Sequence, residues 1–282
     1  MNTPYEILIS IHGAPADNPA LEFGLNLARA TRWPVTLLGV YTKQPLAALS
    51  QTLTDAASQL SESGIPCQVI LEQGKFVPDV VSHISGRDDI LTLFSDIEKR
   101  GWPRWMLFSR FRALFAATSA PLIRVRSACW PLRRLLICSG GLAYTIPLEK
   151  LAVALAQITG ARLTFLHIVE PVTLDYALAR EVAEHWETLQ KTNTPQARHL
   201  SKALAHAHRA GVDAMVQVRH GAVIKNILDE LAEGDYDLIG LGSAYSSHSL
   251  RKHYSADVTA LVAAEVDCPL LTMRGSGQDS YA

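Results

Sequence analysis

The stretch Ala120-Pro121-Leu122-Ile123-Arg124-Val125-Arg126 is echoed 148 residues later by Cys268-Pro269-Leu270-Leu271-Thr272-Met273-Arg274. At the same offset, Asp89-Ile90-Leu91-Thr92-Leu93-Phe94 falls on Asp237-Leu238-Ile239-Gly240-Leu241-Gly242. Earlier in the chain the offset is 128. There Ile7-Leu8-Ile9-Ser10-Ile11-His12-Gly13 falls on Leu135-Leu136-Ile137-Cys138-Ser139-Gly140-Gly141, and Val35-Thr36-Leu37-Leu38-Gly39-Val40 on Leu163-Thr164-Phe165-Leu166-His167-Ile168. A unit longer than 100 residues is a duplicated domain, because solenoid periods run at about 20–50 residues.

Each copy alternates short, β-branched apolar runs with longer stretches of helical period. The runs of the first copy are 7–11, 35–41, 67–72, 90–94 and 122–125; those of the second are 135–138, 163–169, 214–218, 238–241 and 270–273. Near-continuous apolar strands separated by helices predict parallel sheets covered on both faces, five strands to a copy. The offset grows by about 19 residues between the second and third strands. The second copy fills this gap with a helical stretch near 174–190 and another that Thr194 caps and Pro195 opens. A helix over about 194–210 therefore reads as the addition. Domains are expected at 1–127 and 132–276, joined by a short linker.

Composition narrows the function classes. With 282 residues, 48% hydrophobic and 19% charged, the chain suits two ordinary globular domains, and a net charge of −1 excludes a whole-molecule polyanion binder. No basic n-region opens the chain, and no run approaches the ~18 apolar residues of a membrane span. Cys67, Cys129, Cys138 and Cys268 are widely spaced. Cys138 and Cys268 fall in strand patterns and read as small buried hydrophobes of a reducing compartment. A cytoplasmic protein is expected.

The chain resembles the universal stress protein family, in a tandem two-domain form. The resemblance rests on the first-strand starts, on Leu166-His167-Ile168-Val169, on the final Cys268-Pro269-Leu270-Leu271 strand, and on Gly74 and Gly221 after the third strands. It implies an α/β fold of two Rossmann-like (adenine nucleotide alpha hydrolase-like) domains, each a five-stranded parallel sheet flanked by helices. Nucleotide-binding members of that family carry an Asp after strand one and a Gly-x2-Gly-x9-Gly-Ser/Thr loop after strand four, whose backbone N–H groups approach phosphate. Here the Asp positions are His12 and Gly140. The second loop opens with Gly242-Ser243 but continues with Tyr245 and Ser255-Ala256, and the first copy places Phe94, Ile97, Leu107 and Phe108 at the loop positions. The first domain is expected not to bind ATP, and the second to bind it weakly at most. Candidate ligand-binding residues of the second domain are Gly140, Gly141, Ile168, Gly242, Ser243, Arg251 and Ser255.

Three functions follow, in order. The first is a non-enzymatic stress-response protein acting by ligand or protein binding, without catalytic residues, metal or resident cofactor. The second is a sensor or carrier of an adenine nucleotide or another anionic small molecule in the second domain. The third is an adenylating enzyme, because Ser139-Gly140-Gly141 resembles half of the Ser-Gly-Gly-x-Asp-Ser loop of ATP pyrophosphatases, although Ala143 and Tyr144 replace its Asp and Ser. Partners in view are an anionic small molecule, other proteins and a second copy of the chain. His199, His206 and His208 read as surface residues of a polar helix. From Lys99 to Arg134 nine Lys or Arg residues occur without an acid, interleaved with Trp102, Trp105, Phe108, Phe111 and Phe115. The helical spacing of the phenylalanines favours buried aromatics over a nucleic-acid platform.

Overall fold

The computed structural model describes residues 5–12, 18–43, 46–95, 109–169, 185–244, 251–275 and 281. The chain divides into two compact units, Met1–Trp130 with Asp267–Leu271, and Pro131–Val266 with Thr272–Ala282. In the first repeat the elements are β1 (Glu6–His12), α1 (Pro19–Thr31), β2 (Val35–Tyr41), α2 (Leu46–Glu62), β3 (Cys67–Gln73), α3 (Phe76–Ile84), β4 (Ile90–Phe94), α4 (Ser109–Ala117) and β5 (Leu122–Arg124). Their order in the sheet is β3-β2-β1-β4-β5, and the four pairings are parallel. The apolar runs of β1, β2 and β4 are buried nearly throughout, as strands covered on both faces must be, whereas the edge strand β3 is largely open.

The second repeat contains β6 (Arg134–Cys138), a 3-10 turn (Ala143–Thr145), α5 (Ile146–Thr159), β7 (Arg162–Val169), α6 (Trp186–Lys191), α7 (Pro195–Arg209), β8 (Ala214–His220), α8 (Val223–Gly234), β9 (Leu238–Ala244), α9 (Arg251–Glu265) and β10 (Leu270–Gly275). The strand order β8-β7-β6-β9-β10 reproduces that of the first repeat. Thr194 caps α7 by accepting from the Ala197 N–H at 3.2 Å, with Pro195 in the first turn, as the sequence predicts.

Strand pairing corrects two sequence expectations. Ile7 lies opposite Val35 and Leu91, and Leu135 opposite Leu163 and Leu238; Val35 lies opposite Cys67, and Leu163 opposite Ala214. The offset is therefore 128 for the first two strands and 147 for both the third and the fourth. Leu238 corresponds to Leu91, one residue away from the Ile90 match, and side chains of a strand change face at every residue. The counterpart of Gly242 is then Ser95 and not Phe94. The second correction concerns the added helix. Both α2 and α7 pack on the third strand of their repeat and lead into it after the same short turn. Helix α7 is thus the counterpart of α2, and α6 is the added helix in the described part of the insertion. The remainder of the helix expected near 174–190 lies largely outside the described residues.

Phe111 and Phe115 are buried. Phe111 stacks on Phe94 at 6.4 Å between centroids and on Phe115 at 5.7 Å. Trp102, Trp105 and Phe108 lie outside the described residues. None of the four cysteines is in a disulfide, and all are half-buried. Cys138 and Cys268 are less covered than expected because one ends β6 and the other precedes β10. Among the described residues, no helix is long and apolar enough to cross a membrane.

The Phe94–Phe111–Phe115 stack should dominate the local stability of the first unit. Truncation by Phe111→Ala is expected to cost about 3–5 kcal/mol, as for other buried aromatics. Phe111→Leu, which refills part of the volume, should cost clearly less in urea unfolding.

Candidate functional site

The carboxyl end of β6 leads into the densest buried polar cluster of the second unit. Glu149, in the first turn of α5, is completely buried. The Ser139 hydroxyl donates to its Oε1 at 2.6 Å, and Thr145 Oγ1 lies 2.8 Å from the same oxygen. His199 Nε2, reaching in from α7, is 3.0 Å from both carboxylate oxygens. The phenol of Tyr281, next to the last residue, donates to Oε2. Ser139 Oγ also accepts from the Gly141 N–H at 3.1 Å, and His167 Nδ1 lies 3.0 Å from the Ser139 carbonyl oxygen.

Burial opposes the charge on Glu149, but the hydrogen bond and charge of His199, with the Ser139 and Tyr281 hydroxyls, outweigh it and hold the carboxyl below its usual range. Burial and the neighbouring carboxylate push the Tyr281 phenol upward, so it remains a donor. Histidine 199 spends its Nε2 on Glu149, while the Ser139 proton points at a weakly basic carboxylate. A nucleophile needs an adjacent base matched to its task. The cluster is arranged as a clasp between segments.

The expected ligand residues only partly converge. Gly140, Gly141 and Gly242 gather around the 3-10 turn; Gly141 is buried, Gly242 half-buried and Gly140 exposed, and each has a neighbour on its side-chain face. The Tyr144 hydroxyl lies where a Cβ on Gly140 would sit, and a Cβ on Gly141 would meet Gln196 Cβ at 3.0 Å. A Cβ on Gly242 would meet Thr145 Cγ2 at 2.9 Å. These glycines serve close packing of the protein on itself. Ile168 is half-buried near the end of β7, opposite Arg219. The side chains of Ser243, Arg251 and Ser255 lie outside the described residues, as does Tyr245.

In the first repeat the same end is closed by different chemistry. Ser95 Oγ accepts from the Ala20 N–H at 3.0 Å and donates to Asn18 Oδ1 at 3.1 Å; Asn18 itself accepts from the N–H groups of Ala20 and Leu21. The amides at the start of α1 that could face an anion are thus held by the protein's own side chains. His12, at the Asp position, packs on Phe76 at 5.8 Å, and the Arg110 guanidinium lies 4.7 Å above the same ring. Burial, and then the Arg110 charge, bring the His12 imidazole down to about 4. Ile97, Leu107 and Phe108 lie outside the described residues.

Sequence reasoning placed His199 at the surface; it is buried against Glu149. The signal was present in the helical pattern of α7, where His199 falls on the face of Ala203 and Ala207, both buried. His206 is half-buried beside Tyr281, while His208 is exposed and reaches the Ala214 carbonyl oxygen at 3.0 Å. No group of three or more metal-ligating side chains occurs among the described residues.

Two repeats of one parallel sheet flanked by helices define a tandem Rossmann-like α/β fold. The family model described as the universal stress protein family matches residues 132–274, just over half of the chain, and the chain belongs to that family. A comparison with curated proteins found no match. Among solved structures, a functionally unknown protein from Pseudomonas aeruginosa PAO1 is similar at 14% identity, covering 97% of this chain and 93% of that one, with a TM-score of 0.69. A putative universal stress protein from Pseudomonas aeruginosa UCBPP-PA14 is similar at 14% identity, covering 96% and 93%, with a TM-score of 0.67. A universal stress protein from Archaeoglobus fulgidus is similar at 13% identity, covering 96% and 97%, with a TM-score of 0.64. Identities this low speak for the fold.

Two outcomes follow from the buried groups. His199→Leu leaves the Glu149 charge short of its main partner and should destabilise the protein by about 3–5 kcal/mol. The double variant Glu149→Leu/His199→Leu should recover much of that in urea unfolding, because no buried charge is then left unpaired. For His12, the folded value of about 4 lies below the ordinary 6.5, so the unfolded chain takes up a proton first as pH falls. Stability conferred by this group is complete above about 6.5, declines towards pH 4 and is level below. Thermal unfolding of His12→Gln should show a shallower decline across that window than the parent protein.

Proposed function

We propose that this chain is a non-enzymatic stress-response protein of the tandem universal stress protein type, acting by ligand or protein binding, with nucleotide loops degenerate in both repeats. One observation carries the reading: on the side-chain faces of Gly140, Gly141 and Gly242 the nearest atoms belong to Tyr144, Gln196 and Thr145 of the same chain, and the Gly141 N–H is already taken by Ser139 Oγ. A second feature supports it. Glu149 places a carboxylate in the first turn of α5, where the helix field would otherwise favour phosphate, and like charge disfavours a second anion. In the first repeat the Asn18 and Ser95 side chains take the corresponding amides. Four cysteines outside disulfides suit a reducing, cytoplasmic setting.

Calorimetric titration with ATP and magnesium tests the reading. No saturable heat is expected at micromolar nucleotide. Sub-micromolar affinity of the parent protein for ATP would overturn the proposal.

A further inference from the structure

Tyr281 sits in a slot built from a buried carboxylate and two imidazoles. Its hydroxyl reaches Glu149 Oε2. Its ring meets His199 edge-on, with centroids 5.7 Å apart and planes at 62°, and lies 5.6 Å from the His206 ring at 47°. The floor is a fully buried carboxylate and the walls are two imidazoles seven residues apart on α7. His199 faces the same carboxylate, and Lys150 and Arg209 add positive charge around His206. One acceptor at the bottom and aromatic edges at the sides select a planar ring bearing a single O–H donor. The first repeat has no equivalent: at its own offsets Glu149 corresponds to Leu21 and His199 to Thr52.

We propose that the Glu149–His199–His206 slot is a binding site for small phenols, and that Tyr281 occupies it in cis as a tethered competitor. The site is distinct from the glycine loop but linked to it, since Glu149 holds Ser139 and Ser139 holds the Gly141 amide. A tethered group competes at an effective concentration in the millimolar range, so a free phenol binds only weakly while the tail is seated. Withdrawal of the Tyr281 side chain would expose Glu149 Oε2 and leave it one donor short, which a phenol restores. The slot does not rest on the proposed function, because the contacts that define it are those of Tyr281 with Glu149, His199 and His206.

The test uses p-cresol and the full chain. With Tyr281→Ala, p-cresol should bind saturably by titration NMR and raise the melting temperature; with the parent protein the apparent affinity should be at least about tenfold weaker. Tyr281→Ala/Glu149→Gln, which loses the acceptor charge, should bind p-cresol clearly more weakly than Tyr281→Ala, and toluene should not bind to Tyr281→Ala. Tyr281→Phe, which keeps the ring and removes the donor, provides a second background that should admit p-cresol more readily than the parent. Equal p-cresol affinity in the parent and Tyr281→Ala proteins, equal affinity for toluene and p-cresol, or no binding to Tyr281→Ala would each overturn the proposal.

Discussion

A carboxylate removed from water is tolerated only where other donors replace its hydration. Glu149 has no exposed surface, and its donors come from four parts of the second repeat: Ser139 after β6, Thr145 in the 3-10 turn, His199 in α7 and Tyr281 near the chain end. Satisfying one charge therefore fixes where four segments meet. The loop follows in turn, because Ser139 holds the Gly141 amide and Gly141 adopts a φ of +67° that a side chain would resist. Helix α7 is tied to α5 through the same carboxylate, so the crossover between β7 and β8 is anchored at its helical end.

The two repeats close the carboxyl ends of their strands by unrelated means. Ligands of open α/β sheets bind in this region, and a helix N-terminus there offers amides to an anion. In the first repeat Asn18 and Ser95 take those amides as neutral acceptors, above a buried stack of Phe94 on Phe111. In the second a carboxylate stands in the first turn of α5, and Tyr144 and Gln196 lie on the side-chain faces of Gly140 and Gly141. Divergence of this kind leaves the sheet intact, because strand pairing does not depend on what lies beyond the strand ends.

The strands, their order of appearance and the duplication were legible because buried parallel strands are written as long apolar runs. The same property hid the register. A run such as Ile90–Phe94 is apolar on both faces, so matching it to Leu238 at Ile90 or at Leu91 leaves the pattern equally good, and only the pairing with β1 and β6 decides. Thr194 and Pro195 were readable because capping is local chemistry. The Glu149–His199–Tyr281 cluster was not, since its members stand 50 and 132 residues apart from Glu149 and each alone resembles an ordinary helix or tail residue. Glycines at Gly140 and Gly242 looked like phosphate contacts for a related reason. A sequence shows that a backbone can be approached closely, but not whether a ligand or the protein's own side chain makes the approach.

The insertion is constrained by the same geometry. It enters after β7 and ends before α7, so neither the β6–β7 nor the β7–β8 register is disturbed: Val169 still lies opposite His220, as Tyr41 lies opposite Gln73. Helix α6 packs on α7 and near β8, next to the helix that carries His199 and His206. Extra chain at this point costs little closure entropy, because the entropic penalty of a loop grows only with the logarithm of its length. It also adds cover to α7, whose apolar face alone must hold His199 at the correct height over Glu149. The helix that supplies the clasp is thus packed by a second helix, and the first repeat, with Leu21 and Thr52 at the corresponding positions, has no charge at those positions that requires bracing.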